Sequence, residues 1–518
     1  MSTSASSDTS LKKGKLGVVG IVFFVVAAAA PLLGMTGAVP VAMFLGNQAG
    51  TAGTYLAVGL ALMLFSVGYA AMSQKVTNTG AFFAYVGRGL GRSAGVASAF
   101  MSLVGYLTIQ LAIYGFFGGV FHFTALGWGI DAPWYMWSAL AWIIVTGLSL
   151  LSVDVGAKVL GVFMSLEILS LIISSIAIFA HSSAPADFNA SFSLGAIFTD
   201  GLAGTAGIAI AFAFASYIGF EATAIYGEEA KDPKKAVPRA TYWAVGIITA
   251  LFAFVSFAMA TGMQNFKWTA QPADQAAAGL PAEGIMGYIA ANGGFDLKAG
   301  ITNPGGVLMS MADNALGGTW MSTTMSLLVL SSAFAGLLAF QNSLARYFFA
   351  LGRGGILGNS FAKTNTSGAP ANGVILTSAL ALVVIIVFAA LGLDGIGNLF
   401  TWMSAVTAVA IMLVEVLVSI AIIVFFAKNK GENIWRSTIA PAISAVVLSV
   451  GVYLLMARFN LLGNLAAEGV DPTLADSAWK LSPFGWFLVL LPIIGGVLGL
   501  VIAAVRKGNK TLEQDLLS

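Results

Sequence analysis

Twelve stretches of this chain are apolar over about 20 residues, enough to cross a ~30 Å hydrocarbon layer, and no other property limits its fold as much. They lie near 16–45, 51–73, 93–126, 133–153, 157–181, 202–227, 239–263, 306–350, 371–392, 396–426, 437–458 and 483–505, called here spans one to twelve. With 58% hydrophobic and only 9% charged residues, the chain lacks the polar surface to cover a water-soluble domain. The expected class is an all-α integral membrane protein with twelve transmembrane helices. Spans one, three, eight and ten exceed a single crossing, so they should tilt, break or run on into loops.

The distribution of charge agrees with that count. If the N-terminus is cytoplasmic, the inward segments hold 20 of the 24 Lys and Arg, and only Lys267, Lys298, Arg458 and Lys480 fall outside. Residues 1–15 and 506–518 are then cytoplasmic tails, and no removable signal peptide is expected. The absence of cysteine excludes disulfides and thiolate metal sites, and a net charge of +2 gives no case for nucleic acid.

Two spans carry interruptions. Span one reads AAAAPLLGMTGAVP over Ala27–Pro40, where Pro31 removes a backbone donor and Gly34 and Gly37 bracket Thr36. Span six loosens at Ser216-Tyr217-Ile218-Gly219, resumes with Glu221, and leaves the apolar phase into Glu228, Glu229, Lys231, Asp232, Lys234 and Lys235. A lone Pro kink is as well explained by helix packing. Paired interruptions five helices apart point instead to two inverted repeats with a binding site near the midplane. Backbone that opens at membrane depth must line a cavity or be buried in protein.

Three acids lie within spans: Glu167 in span five, Glu221 in span six and Glu415 in span ten. No Lys or Arg is central enough to neutralise them, so each is either kept protonated by desolvation or meets a cation that comes and goes. For any one of them the blander reading is a neutral Glu bonded to a neighbouring carbonyl or hydroxyl. Span three places Tyr106, Gln110 and Tyr114 on one helical face, and span ten places Ser404, Thr407, Ile411 and Ser419 near the side of Glu415. The run after Thr77-Asn78-Thr79-Gly80, ending in Arg88 and Arg92, reads as an interfacial helix. Segments 264–305 and 459–482 read as external loops, with a short surface helix at Gly284–Ala291. His122 and His181 are isolated near helix ends, so no metal site is expected.

Three separated motifs carry a family likeness. GFEATAIYGEEAKDPKKAVPRAT, MSQKVTNTGAFFAYVGRGLG and QNSLARYFFALGRGGIL resemble, in order, the six-to-seven, two-to-three and eight-end signatures of the amino acid-polyamine-organocation permeases. The resemblance implies a LeuT-like fold: a five-plus-five inverted repeat with broken helices one and six, plus two additional C-terminal helices. The ten-helix core would be 16–426, with repeats at about 16–181 and 202–426, and helices eleven and twelve at 437–505. By the same likeness, Leu33, Gly34, Met35, Thr36 and Gly37 would receive a substrate carboxylate. Carbonyls near Phe214 to Ile218 would take the amine, with Phe214, Tyr217 and Phe340 as aromatic lids and Tyr106 and Gln110 as span-three contacts. Glu221 falls where related exchangers have a gating acid. The family's common Gly-Ser-Gly core is replaced here by Gly34-Met35-Thr36-Gly37. Where some proton-coupled members have a lysine, this chain has Glu167, which would carry a coupling proton, help Ser331 or Ser332 hold sodium, or contact a cationic substrate.

The expected function is secondary import of an amino acid or related small amine by alternating access, coupled to protons or sodium, without a cofactor. A polyamine or organic cation transporter or exchanger is the alternative. No GxxxxGK[ST] loop occurs, so ATP drive is unsupported. No fourfold repeat suggests a channel, and no signalling tail suggests a sensor. The Glu228, Glu229, Asp232 cluster is interleaved with lysines, which fits a solvated charge network better than an enzyme site.

Overall fold

The computed structural model describes residues 17–76, 82–151, 157–199, 201, 204–225, 230–277, 279–296, 300–463 and 465–506. The tail 1–15, the turn Thr77–Gly80, Glu228, Glu229 and residues 507–518 lie outside them. Among the described residues, nine helices are long and apolar enough to cross a membrane, and two shorter apolar helices, Trp134–Leu150 and Ala206–Tyr217, accompany them. The chain is a multi-pass, predominantly helical membrane protein.

The first apolar run, Val18–Ser73, is not one rod. It turns at Gly46–Gln48, where Gly46 has non-helical angles and Gln48 a positive φ of 49°, and resumes as Thr51–Ser73. Span three, Arg92–Leu126, is a single 35-residue helix, roughly 50 Å long at 1.5 Å per residue. Small residues let neighbours approach it closely, as membrane helices require in the absence of a hydrophobic drive between them. A Cβ on Gly115 would lie 2.3 Å from the Gly395 carbonyl of span ten, and one on Gly499 of span twelve 2.8 Å from the Ala97 backbone.

Span eight begins later than its apolar run does. Residues from 305 form a separate helix, Gly305–Leu316, which ends at Gly317 and Gly318 with φ of 73° and 90°; the crossing proper is Trp320–Arg353. Asp313 accepts the Ser322 amide at 3.1 Å across this corner. Both flanks of the corner are apolar, so hydropathy alone does not reveal it.

Two peripheral expectations are corrected. The segment expected at the interface forms the helix Phe82–Leu90, but Phe82, Phe83, Tyr85 and Val86 are buried and Gly89 abuts the Ala421 backbone. It packs into the bundle because its aromatic face finds Phe65 and Tyr69 of span two and Tyr347 of span eight, while Gly89 lets it approach span ten. Arg92, just beyond it, donates to the carbonyls of Ala503 and Arg506 at the end of span twelve. The helix expected on the surface, observed as Gly284–Asn292, buries Ile285, Tyr288 and Ile289. Its segment continues into the hairpin Phe295–Asp296 with Gly300–Ile301, where Phe295 meets Phe44 at 5.9 Å, so the insertion seats on the end of span one.

Candidate functional site

The break in span one follows from its proline. Pro31 cannot donate to a carbonyl four residues back, and the residue before a proline is pushed out of the helical region. Ala30 accordingly takes a left-handed conformation (φ 44°, ψ 67°), and a new helical segment starts with Pro31 at its first position. The turn that follows, Gly34–Ala38, is a wide π-turn.

Span six breaks through a glycine. Ala206–Tyr217 is helical, Ile218 is extended, Gly219 has φ 118°, and the helix resumes at Ala222. The two breaks touch: a Cβ on Gly219 would lie 3.0 Å from Ala28 Cβ and within 3.3 Å of the Ala28–Ala29 backbone. Beside them is a small cavity of about 30 Å³. The breaks contribute Ala28, Ala29, Ala30 and Ile218 to it, spans three, eight and ten contribute Ile109, Ile113, Phe340, Phe400 and Ser404, and Leu33, Gly34 and Ser216 also line it. No charged side chain is among the lining residues.

Each acid has its own setting outside that cavity. Glu221 holds the span-six break together: Oε2 accepts the Gly219 amide at 2.8 Å and Oε1 accepts the Tyr106 hydroxyl at 2.9 Å, while its main-chain carbonyl accepts from Tyr69 at 2.9 Å. Tyr106 stacks edge-on against Tyr347 at 5.3 Å, and Tyr69, Tyr106, Tyr347 and Glu221 are all buried, so the bundle is packed shut on this side of the cavity. Glu167 accepts the Ser332 hydroxyl at 2.7 Å and faces the backbone amide of Leu32, in the buried first turn of the segment beyond the span-one break. An anion there is favoured by unsatisfied N–H groups and the local dipole. Glu415 is fully buried within electrostatic reach of Glu221, and neither of its oxygens has a hydrogen-bond partner among the described residues.

Of the residues singled out in the sequence, Leu33, Gly34, Ile218 and Phe340 lie on the cavity wall. Others point elsewhere. Thr36 donates to the Leu32 carbonyl at 2.6 Å, and Gly37 faces the Phe116 ring. Tyr217 donates to the Tyr55 carbonyl at 2.8 Å and meets Phe252 edge-on. Gln110 bonds to Gln341, whose amide is itself held by Thr377 and Ser378 between spans eight and nine. Met35 and Phe214 are buried away from the lining, and Ser331 donates to the Leu328 carbonyl, leaving Ser332 alone on Glu167. The sequence reading missed Ile109 and Ile113. It followed the polar face of Tyr106, Gln110 and Tyr114, whereas the cavity takes the apolar face one residue round the helix. An i, i+4 pair of isoleucines beside a broken-helix pair is the signal that was available.

A model of the amino acid permease family matches residues 29–508. The chain belongs to the amino acid permease family. The permease is similar to the branched-chain amino acid permease BcaP of Lactococcus lactis subsp. cremoris, 27% identical over 186 residues. That match covers 36% of this chain and 33% of the relative, so it spans about a third of the relative's length. Among solved structures, a mutant of the Eremococcus coleocola manganese transporter is similar over 96% of this chain and 97% of its own, with a TM-score of 0.55 and 13% identity, a likeness of fold alone.

Proposed function

We propose that the permease is a secondary transporter that imports a neutral amino acid across a bacterial plasma membrane by alternating access, with both termini cytoplasmic. The observation that carries this reading is the meeting of two helix breaks at one cavity. Spans one and six then belong to a five-plus-five inverted repeat, and spans eleven and twelve are additions to it. Twelve crossings follow when the run Val18–Ser73 is divided at its turn and the two shorter apolar helices are counted. Bare backbone groups at the breaks suit a substrate's carboxylate and amine. The lining suits a short uncharged side chain. A polyamine would need acids on the wall, and Glu167, Glu221 and Glu415 all stand off it. Thermal stabilisation of the purified protein by a panel of amino acids, polyamines and amines tests the reading, because a ligand of the folded state raises its melting point. A shift confined to polyamines would overturn it.

Coupling is assigned to Glu167. Its neighbours are donors, the Ser332 hydroxyl and the Leu32 amide, which fits a carboxylate that exchanges a proton better than a sodium cage. Glu167→Gln is expected to flatten the pH dependence of uptake while changing substrate affinity less than about threefold, since no lining contact is lost. Uptake measured against pH, with and without sodium, checks this; an unchanged pH profile removes Glu167 from coupling.

Glu221 is assigned to the inner gate, with Glu415 as its buried partner. A Gln at 221 can still accept from the Gly219 amide and turn its NH₂ to Tyr106, so the fold should survive Glu221→Gln. Because bonds to a charged or proton-sharing group are the stronger ones, uptake is expected to fall by roughly tenfold to 100-fold. Uptake rate and melting point are measured together. Full uptake at an unchanged melting point would leave Glu221 as a helix brace only.

A further inference from the structure

We propose that Ser404 reads the substrate side chain, so that the permease takes short neutral amino acids bearing a hydroxyl, of the threonine type, alongside purely aliphatic ones. This deepens the amino acid reading above and rests on it. Two hydroxyls in span ten turn back onto their own helix: Thr401 donates to the Gly397 carbonyl at 2.5 Å, and Thr407 to that of Met403 at 2.7 Å. Ser419 and Ser404 do not, and of these two the cavity-lining residue is Ser404. It lines the cavity at 1% exposure, and its Oγ has no hydrogen-bond partner among the described residues.

A buried hydroxyl without a partner is costly, and each one in a folded protein calls for a reason. A ligand group in the cavity supplies one. Ser216, the other hydroxyl on the wall, is already committed: it donates to the Phe212 carbonyl at 2.8 Å and shares a 3.0 Å bond with Tyr55. Ser404 is therefore the one lining side chain with hydrogen-bonding capacity to spare among the described residues. Ser404 lies four residues after Phe400, on the same helical face, and lines the cavity together with Ile109, Ile113 and Phe340. Apolar contact accepts a methyl group, and Ser404 adds one bond for a hydroxyl of similar shape.

Threonine and valine differ by that single exchange of hydroxyl for methyl. The test is competition for uptake and thermal stabilisation by each, on wild-type protein and on Ser404→Ala. The expected result is that Ser404→Ala weakens threonine by about tenfold and valine by less than twofold, because one neutral hydrogen bond is lost from one ligand only. Ser404→Cys, close in shape and a weak donor, serves if the alanine protein is poorly folded, with the same expected loss. An unchanged threonine-to-valine ratio overturns the proposal, as does an equal loss for both. Wild-type protein that binds valine but not threonine overturns the side-chain assignment while leaving the amino acid reading in place. Wild-type protein that binds neither, nor any other amino acid, overturns both.

Discussion

Gly219→Val is expected to reduce uptake by roughly 100-fold or more, with the protein still inserted and monodisperse in detergent. Two separate costs meet at this residue. Its φ of 118° lies where only glycine is comfortable, and a side chain held there is strained by about 1–3 kcal/mol. A Cβ would also press on Ala28 and the Ala28–Ala29 backbone at 3.0–3.3 Å, and overpacking of this kind adds a further ~1–3 kcal/mol. The chain relieves both by changing the break, either rewinding span six or pushing it off span one. Either response misplaces Ile218 on the cavity wall and the Gly219 amide that Glu221 holds. Gly219→Ala should show the same defect in weaker form. Uptake by reconstituted Gly219→Val protein at the wild-type rate would mean that the contact between the breaks is incidental to transport.

The multi-pass helical character of the chain and its two breaks were legible from residue chemistry, and the reasons are specific. Apolar run length is imposed by the bilayer, and the loop positions of Arg and Lys constrain the topology independently. Pro31 and Gly219 each announce a break because their backbone restrictions are local and survive any tertiary context. The cavity lining was less legible. Gln110 looks like a ligand contact in a one-dimensional reading because polar groups in lipid demand a use, yet here its amide donates to Gln341. Thr36 likewise spends its hydroxyl on its own helix. The wall is instead built of Ile109, Ile113 and Phe400, which in sequence look like any other lipid-span residues. Which apolar face turns inward depends on how helices rotate against each other, and a single sequence does not encode that locally. Glycines at 317 and 318 mark the corner before span eight only once the helix of Gly305–Leu316 is known to precede them.

The three acids show the same division between kind and place. Their presence in lipid demands a role, but not the same role. Glu167 and Glu221 each face a helix break and accept a backbone amide and a side-chain hydroxyl, so each braces a break that Pro31 or Gly219 creates. Such an acid can couple a proton to a conformational change, because removing or adding charge alters the hold on a hinge. Glu415 has no such bonds among the described residues and lies near Glu221, so the state of one bears on the other.

Gly34→Leu is expected to abolish measurable substrate binding, a loss of roughly 100-fold or more, while Gly34→Ala is nearly tolerated. The first added carbon has room: a Cβ at residue 34 would sit 3.3 Å from Ser216 Cβ, 3.4 Å from its Oγ and 3.6 Å from the Phe252 ring, tight but adjustable. The next three carbons of leucine have only the cavity to enter, since packed side chains on the other sides cannot yield without an overpacking cost of about 1–3 kcal/mol. They would take the volume that a short amino acid side chain needs. Stability need not fall in proportion, because filling an apolar cavity with apolar atoms gains contacts as it removes space. That opposition separates a binding defect from a folding defect. The melting point of the unliganded protein should stay within a few degrees of wild type, and the rise given by substrate should vanish. If substrate still stabilises Gly34→Leu as it does the wild type, the ligand does not sit between the breaks, and the cavity is a packing defect of the helix pair.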